Sequence, residues 1–122
     1  NPNGFRAVPI HSKLNPIVKK LLKESTNEYL ISDLTFNKWD DRSNAVGKRF
    51  GNLKTSLGFP KKIKVFHTIR NCVITQLMKT TPRHIVKDLV GHEKGDQTEA
   101  YTAQTDMKTL KKTVELIRYP SI

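Results

Sequence analysis

The chain has 122 residues and a single cysteine, so its length fits one ordinary domain and its composition excludes an internal disulfide framework. Twenty-two Lys and Arg residues against 11 Asp and Glu residues give a formal net charge of +11. No apolar run reaches the ~18 residues of a transmembrane helix, and the N-terminus has no apolar signal-peptide core. The sequence therefore predicts no membrane-spanning helix, and we expect a cytoplasmic protein without a membrane among its partners.

The positive charge is concentrated in the middle of the chain. Residues 41–80 contain nine cations and one anion, and so carry +8 of the net charge. A concentrated basic stretch on a folded domain indicates a polyanionic partner, most simply a nucleic acid. A solvated surface or an anionic membrane patch is the alternative that charge alone leaves open.

The first third of the chain predicts a short strand and a helix. Alternating apolar residues favour a strand over Phe5–Ile10, which Pro9 closes. Asn15 as the N-cap and Pro16 as the first helical residue predict the start of a helix. Residues 25–40 look irregular. The apolar face of the helix comprises Leu14, Ile17, Val18, Leu21 and Leu22.

Two further helices follow in the basic stretch. The first runs from about residue 42 to near Gly58, with an apolar stripe that ends at Leu57. The second is predicted over residues 68–79. Its inward-facing residues by helical spacing are Ile69, Val73 and Leu77.

The last third of the chain predicts two more helices. Thr81 as a cap and Pro82 as the first residue indicate a helix that ends at Gly91. Asp106 caps the final helix. Its apolar face comprises Met107, Leu110, Val114 and Ile117. We therefore expect a mainly α fold with a small β edge.

Four side chains stand out by their chemistry. His67 and Arg70 are three residues apart at a helix start, so both can point to one side. His92 directly follows Gly91, and Tyr101 lies nine residues further on. Taken singly, each has an ordinary structural explanation, such as a helix C-cap for His92.

The three motifs together are more specific. They are His67-Thr68-Ile69-Arg70, Leu89-Val90-Gly91-His92 and Thr98-Glu99-Ala100-Tyr101. This pattern resembles the active-site signature of the tyrosine recombinases, the phage-integrase family. The 19 residues from Arg70 to Leu89 and the nine from His92 to Tyr101 match the spacing of that family. The resemblance covers essentially the whole chain, because Arg6–His11 is similar to the last strand of the family's β-sheet and residues 110–120 to the helix after the nucleophile.

The chain departs from the family pattern at three positions. The first catalytic arginine of the family would lie upstream of Asn1. The catalytic lysine lies on a hairpin just before the strand, and no lysine precedes Lys13. Asn71 stands where the family often has His. We therefore expect an integrase-like helical core in which residues 1–122 form the C-terminal part of a catalytic domain, almost inactive alone.

The resemblance implies DNA strand cleavage by transesterification. Tyr101 is the nucleophile, and its attack on the scissile phosphate gives a 3′-phosphotyrosyl bond and a free 5′-hydroxyl. Because the ordinary pKa of a phenol is about 10, the site must accept its proton. His67 is the candidate acceptor or orients the phosphate, while Arg70 and His92 hold the phosphate oxygens. No metal and no cofactor are implied.

Partners and location follow from the same resemblance. We expect double-stranded DNA at a recombination site and other protomers in a DNA-bound tetramer, with residues 106–122 packed either in cis or on a neighbour. The gene would belong to a bacterium, prophage or mobile element. The predicted DNA-contacting residues are Arg42, Lys48, Arg49, Lys54, Lys61, Lys62, Lys64 and Arg83.

Two other functions remain open at the level of sequence. They stand beside the first hypothesis, which is site-specific recombination or integration. A topoisomerase-like enzyme that relaxes DNA uses the same chemistry, although such enzymes usually differ in the His-x-x-Arg segment. A non-catalytic, helical DNA-binding module, with Tyr101 as a core residue, is the third hypothesis.

Overall fold

The structure, a computed structural model, describes residues 6–60, 62, 66–92 and 104–119. Within these residues it contains five α-helices, one short 3-10 helix and no strand, which confirms the mainly α prediction. In chain order the elements are the 3-10 helix Ser12–Leu14, α1 (Asn15–Glu24), α2 (Ser43–Ser56), α3 (Phe66–Leu77), α4 (Arg83–Val90) and α5 (Met107–Glu115).

The chain divides into two compact units. The first comprises Asn1–Asn15 with Arg70–Ile122, and the second comprises Pro16–Ile69. The boundary between them falls inside α3. The first unit therefore combines an N-terminal segment with the C-terminal part of the chain.

The core of the first unit joins α3, α4 and α5. Leu77, Val86, Leu89, Leu110 and Val114 form one cluster, and each is at most 5% exposed. Half-buried residues pack around this cluster from α3, α4 and the chain after α5: Val73, Ile74, Ile85 and Ile117. Ile69, which helical spacing predicts to face inward, is instead half exposed. The apolar stripe of α3 is therefore buried only toward the end of the helix.

The start of α4 differs from the sequence prediction. Pro82 occupies the N-cap, and no side chain caps the helix. Thr81, the predicted cap, is buried, and its hydroxyl has no hydrogen-bond partner among the described residues. The helix starts here because Pro82 has an extended backbone, with ψ at 140°, and its carbonyl accepts from the Ile85 and Val86 amides.

The last helix packs in cis. The Asp106 side chain accepts from the Thr109 amide at 3.0 Å, which confirms the predicted cap. Leu110 and Val114 are buried in the core. After the helix, the Gln76 side chain accepts from the Arg118 amide and donates to its carbonyl. In this single chain, residues 106–119 therefore pack against the first unit of the same chain.

The predicted strand at the N-terminus is not confirmed. Residues 6–10 form no strand, because a strand needs a neighbour for its backbone groups and the described residues offer none. The following helical turn begins earlier than predicted, since the His11 ring accepts from the Lys13 amide and Asn15 is already helical. His11 is buried, and its Nε2 donates to the Ile117 carbonyl at 3.1 Å.

An ion-pair cluster joins this N-terminal segment to α5. The Glu115 carboxylate accepts from the Ser12 amide, the Ser12 hydroxyl and the Lys111 ammonium at 2.7–2.8 Å. The same ammonium donates to the Ile10 carbonyl. These bonds lower the pKa of Glu115 to about 2, with the bond from Lys111 as the largest cause and that from Ser12 next.

The second unit contains α2 and the irregular segment predicted over residues 25–40. Arg42 organises this segment: its guanidinium stacks 3.6 Å from the Tyr29 ring centroid and donates to the Ile31 and Leu34 carbonyls. The predicted helix from about residue 42 to Gly58 is confirmed as α2. Gly58, with φ at 81°, lies two residues beyond its end.

Apolar side chains are more exposed in the second unit than in the first. The six apolar side chains that are buried among the described residues all belong to the first unit. On α1, Ile17 and Leu22 are 56% and 63% exposed, so the predicted apolar face is largely open. Lys54 is the one deeply buried residue described between Pro16 and Ile69.

Candidate functional site

The first two turns of α3 carry His67 and Arg70. His67 is exposed and Arg70 is half-buried. Their spacing of three residues on a helix puts both on one side. The start of a helix also carries a partial positive charge, which favours an anionic ligand near these two side chains. Arg70 lies in the first unit, whereas His67 lies in the second.

His92 follows a helix end that only glycine adopts readily. Gly91 is left-handed, with φ at 71° and ψ at 39°. Its amide and that of His92 both donate to the Lys87 carbonyl, at 2.9 and 3.1 Å, and so close the last turn of α4. The His92 side chain is exposed directly beyond this turn. The predicted helix stop at Gly91 is confirmed.

Arg6 completes the end of α4. Its Nε donates to the Leu89 carbonyl and its Nη2 to the Val90 carbonyl, each at 3.0 Å. These are two of the carbonyls that a helix end leaves without a partner. The sequence alone did not reveal this contact, because its pattern assigned Arg6 only to the predicted strand. No local pattern could have identified it, since 83 residues separate Arg6 from Leu89.

The other end of the segment that contains Tyr101 is also anchored on α4. The Thr105 amide and hydroxyl donate to one oxygen of Asp88 at 2.9 and 2.6 Å. Thr105 lies four residues after Tyr101. Tyr101 itself, the predicted nucleophile, lies outside the described residues. The described geometry therefore covers His67, Arg70 and His92.

The predicted DNA contacts differ in their accessibility. Lys48, Lys62 and Arg83 are exposed. Arg49 is exposed and forms an ion pair with Asp33 at 3.0 Å. By contrast, Arg42 is held by the stacking and carbonyl contacts of its own segment, and Lys54 is buried. Lys61 and Lys64 lie outside the described residues.

One face of α2 offers a surface groove. It is lined by Lys48, Gly51, Asn52, Lys54 and Thr55, and has a volume of about 400 Å³. A Cβ atom on Gly47 or Gly51 would meet nothing within 4 Å, so a ligand can approach the helix backbone closely at this face. A second, apolar groove lies beside it, lined by Phe50, Leu53, Lys54, Leu57 and Phe59.

The described residues contain neither a candidate metal site nor a helix that could span a membrane. No group of three or more His, Cys, Asp or Glu residues there is arranged to hold a metal ion. No helix in these ranges is both long and apolar enough to cross a bilayer. The other two described histidines differ in their surroundings: His11 is buried and bonded to the Ile117 carbonyl, and His84 is exposed near the start of α4.

Comparison with known proteins adds no relative. None of the protein-family models, curated proteins and solved structures compared with the chain matches it. The likeness to the tyrosine recombinases therefore depends on the three motifs and their spacing.

Proposed function

We propose that this chain is the C-terminal part of the catalytic domain of a tyrosine recombinase, which integrates or recombines DNA at specific sites. The observation that carries the proposal is the joint spacing of His67-x-x-Arg70, Gly91-His92 and Tyr101. The backbone supports it: the first motif lies at the start of a helix, and the second at a left-handed helix end with an exposed histidine.

Each residue has a distinct chemical task in this proposal. The Tyr101 oxygen attacks the scissile phosphorus, its proton passes to His67, and the 5′-oxygen of the next nucleotide leaves. Arg70 and His92 donate hydrogen bonds to the non-bridging oxygens as their negative charge grows. The bond energy remains in the 3′-phosphotyrosyl link, so rejoining to another 5′-hydroxyl needs no nucleotide cofactor.

Two further catalytic groups would come from residues upstream of Asn1. In the family an arginine completes the phosphate clamp, and a lysine protonates the departing 5′-oxygen. Removing one such donor typically lowers the rate by ~10²–10³. We therefore expect residues 1–122 alone to bind DNA weakly and to cleave it negligibly.

The charge distribution supports DNA as the partner. Residues 41–80 carry +8 of the net charge, and the exposed Lys48 and Lys62 belong to this stretch. Contacts from such side chains to phosphates position a duplex without selecting its sequence. In the proposed reaction, protomers form a tetramer on two duplexes in the cytoplasm of a bacterial host.

A covalent-trapping assay tests the proposal. The longest natural polypeptide that contains these residues is incubated with a library of nicked suicide duplexes, each with a randomised stretch beside the nick. We expect a protein–DNA adduct that resists detergent and is destroyed by protease. Tyr101→Phe should abolish the adduct. Tyr119→Phe, a matched change of a tyrosine that packs edge-on against His11, should retain it.

The outcomes separate the candidate functions. No adduct with any duplex, together with salt-dependent DNA binding, would leave a non-catalytic DNA-binding module. An adduct that persists in Tyr101→Phe would refute the assignment of the nucleophile. With an adduct in hand, joining of strands from two duplexes indicates a recombinase, whereas relaxation of supercoiled DNA without strand exchange indicates a topoisomerase-like enzyme.

A further inference from the structure

We propose that Arg6 is the positioning residue for His92, an inference that rests on the proposed role of His92 at the scissile phosphate. Arg6 donates from two different nitrogens to two consecutive carbonyls, those of Leu89 and Val90. A planar guanidinium with both donors engaged fixes the direction of these carbonyls more tightly than a single ammonium could. The last turn of α4 is therefore held from outside the helix.

The electrostatics of the helix end favour the same contact. The C-terminal carbonyls of a helix carry a partial negative charge, which a nearby cation stabilises. Arg6 supplies that cation at Leu89 and Val90, while the amides of Gly91 and His92 occupy the Lys87 carbonyl. Backbone amides and the Arg6 side chain thus together provide hydrogen bonds to three carbonyls at this end of the helix.

His92 depends on this arrangement because it has no helix of its own. It is the second residue beyond Val90, and its backbone direction is set by the Gly91 turn. If the Leu89 and Val90 carbonyls lose their partner, the turn can rotate and the imidazole moves with it. A displacement of about 1 Å at a reacting group can cost ~10²-fold in rate.

The N-terminal segment that carries Arg6 is itself bonded to α5. The Ile10 carbonyl is bonded to Lys111, and the Ser12 amide and hydroxyl are bonded to Glu115. Both partners lie on α5, which shares its core with α4. Arg6 therefore reaches the end of α4 from a segment that is tied to the same unit.

The test compares Arg6→Ala, Arg6→Lys and the matched control Arg118→Ala. Arg118 uses its backbone to bond Gln76, so this control removes an arginine side chain and keeps those bonds. The ring resonances of His92 are recorded by NMR in the 122-residue chain, with His84 at the other end of α4 as an internal reference. Adduct formation is measured in the longest natural polypeptide.

We expect Arg6→Ala to shift the His92 ring and the Gly91 amide, to leave His84 unchanged, and to slow adduct formation by about tenfold or more. Arg6→Lys should give intermediate shifts and a partial recovery of the rate. An unchanged His92 ring in both Arg6 variants would overturn the inference, as would equal shifts of His92 and His84.

The failure of the inference and that of the proposed function are distinguishable. If the wild-type protein forms no adduct, the proposed function fails, and the NMR shifts alone decide whether Arg6 positions His92. If Arg6→Ala does not fold, Arg6→Lys carries the test, because it keeps the charge and loses only the fork. A normal adduct rate in a folded Arg6→Ala variant would also refute the inference.

Discussion

Leu77→Ala should destabilise the first unit strongly, since Leu77 is the residue of α3 that enters the shared core. It is 1% exposed and packs in one cluster with Val86, Leu89, Leu110 and Val114. Truncating a fully buried leucine typically costs ~2–5 kcal/mol, according to how far neighbours fill the cavity. Two half-buried neighbours of the cluster, Val73 and Ile74, lie on the same helix and can move toward it. We therefore expect a loss of about 3 kcal/mol in the free energy of unfolding.

Leu116→Ala is the matched control, because it removes the same atoms from a side chain that is 50% exposed at the end of α5. Because this side chain is half buried, its truncation should cost about half of the ~2 kcal/mol transfer free energy of a leucine and should leave almost no cavity. Urea unfolding followed by circular dichroism of the helices measures both variants. The comparison requires that the free energy of unfolding decreases with urea concentration at the same slope in each. A cost for Leu116→Ala equal to or above that of Leu77→Ala would refute the assignment of the core.

Three further outcomes follow from local features. Gly91→Ala should lower the free energy of unfolding by about 1–2 kcal/mol, because φ at 71° disfavours a Cβ atom. Gly47→Ala, inside α2 where a Cβ atom meets nothing within 4 Å, should raise the free energy of unfolding by about 0.5–1 kcal/mol. A Gly91→Ala variant that unfolds at a higher temperature than Gly47→Ala would contradict this reasoning. The contribution of Glu115 to stability is complete above its ordinary pKa of 4.5 and is lost as the pH falls toward about 2. Glu115→Gln should therefore reduce the change in the free energy of unfolding with pH over that range. If this pH dependence is the same in the variant and the wild type, the ion-pair cluster is not its cause. Lys48→Ala should weaken the proposed DNA binding and reduce by about 1 the slope of the logarithm of the binding constant against the logarithm of the salt concentration. Lys54→Met, at a buried position, should leave this slope unchanged. Fluorescence anisotropy at several salt concentrations measures the slope for both variants.

Local sequence signals predicted the helix ends that depend on local bonds. Gly91 ends α4 because its left-handed backbone lets two amides reach one carbonyl, and Asp106 caps α5 through a bond to the third residue beyond it. Both bonds lie within a few residues, so the sequence contains their complete cause. The capping signal failed at Thr81, where a residue of the right type is buried against the core instead.

Predictions that depend on distant residues were less successful. Ile69 and Leu77 share one helical stripe, yet only Leu77 is buried, because α4 and α5 contribute their core residues near that end of α3. Helical spacing shows which side of a helix is apolar and not how far its partners extend. The same limit applies to Arg42: the sequence shows its charge, and only the structure shows that its guanidinium stacks on Tyr29.

The proposed site shows how these two kinds of information combine. Motif spacing predicts a functional role for His92, but α4 has only eight residues, and so short a helix is marginal in water by itself. Three distant contacts support it: the buried face with Val86 and Leu89, the bonds from Thr105 to Asp88, and the bonds from Arg6. Because Arg6 and Thr105 lie 83 and 17 residues from their partners Leu89 and Asp88, the geometry at His92 is a property of the folded unit. In the proposed site, the local motif would supply the chemistry, and residues far from it in sequence would fix the position of the His92 side chain.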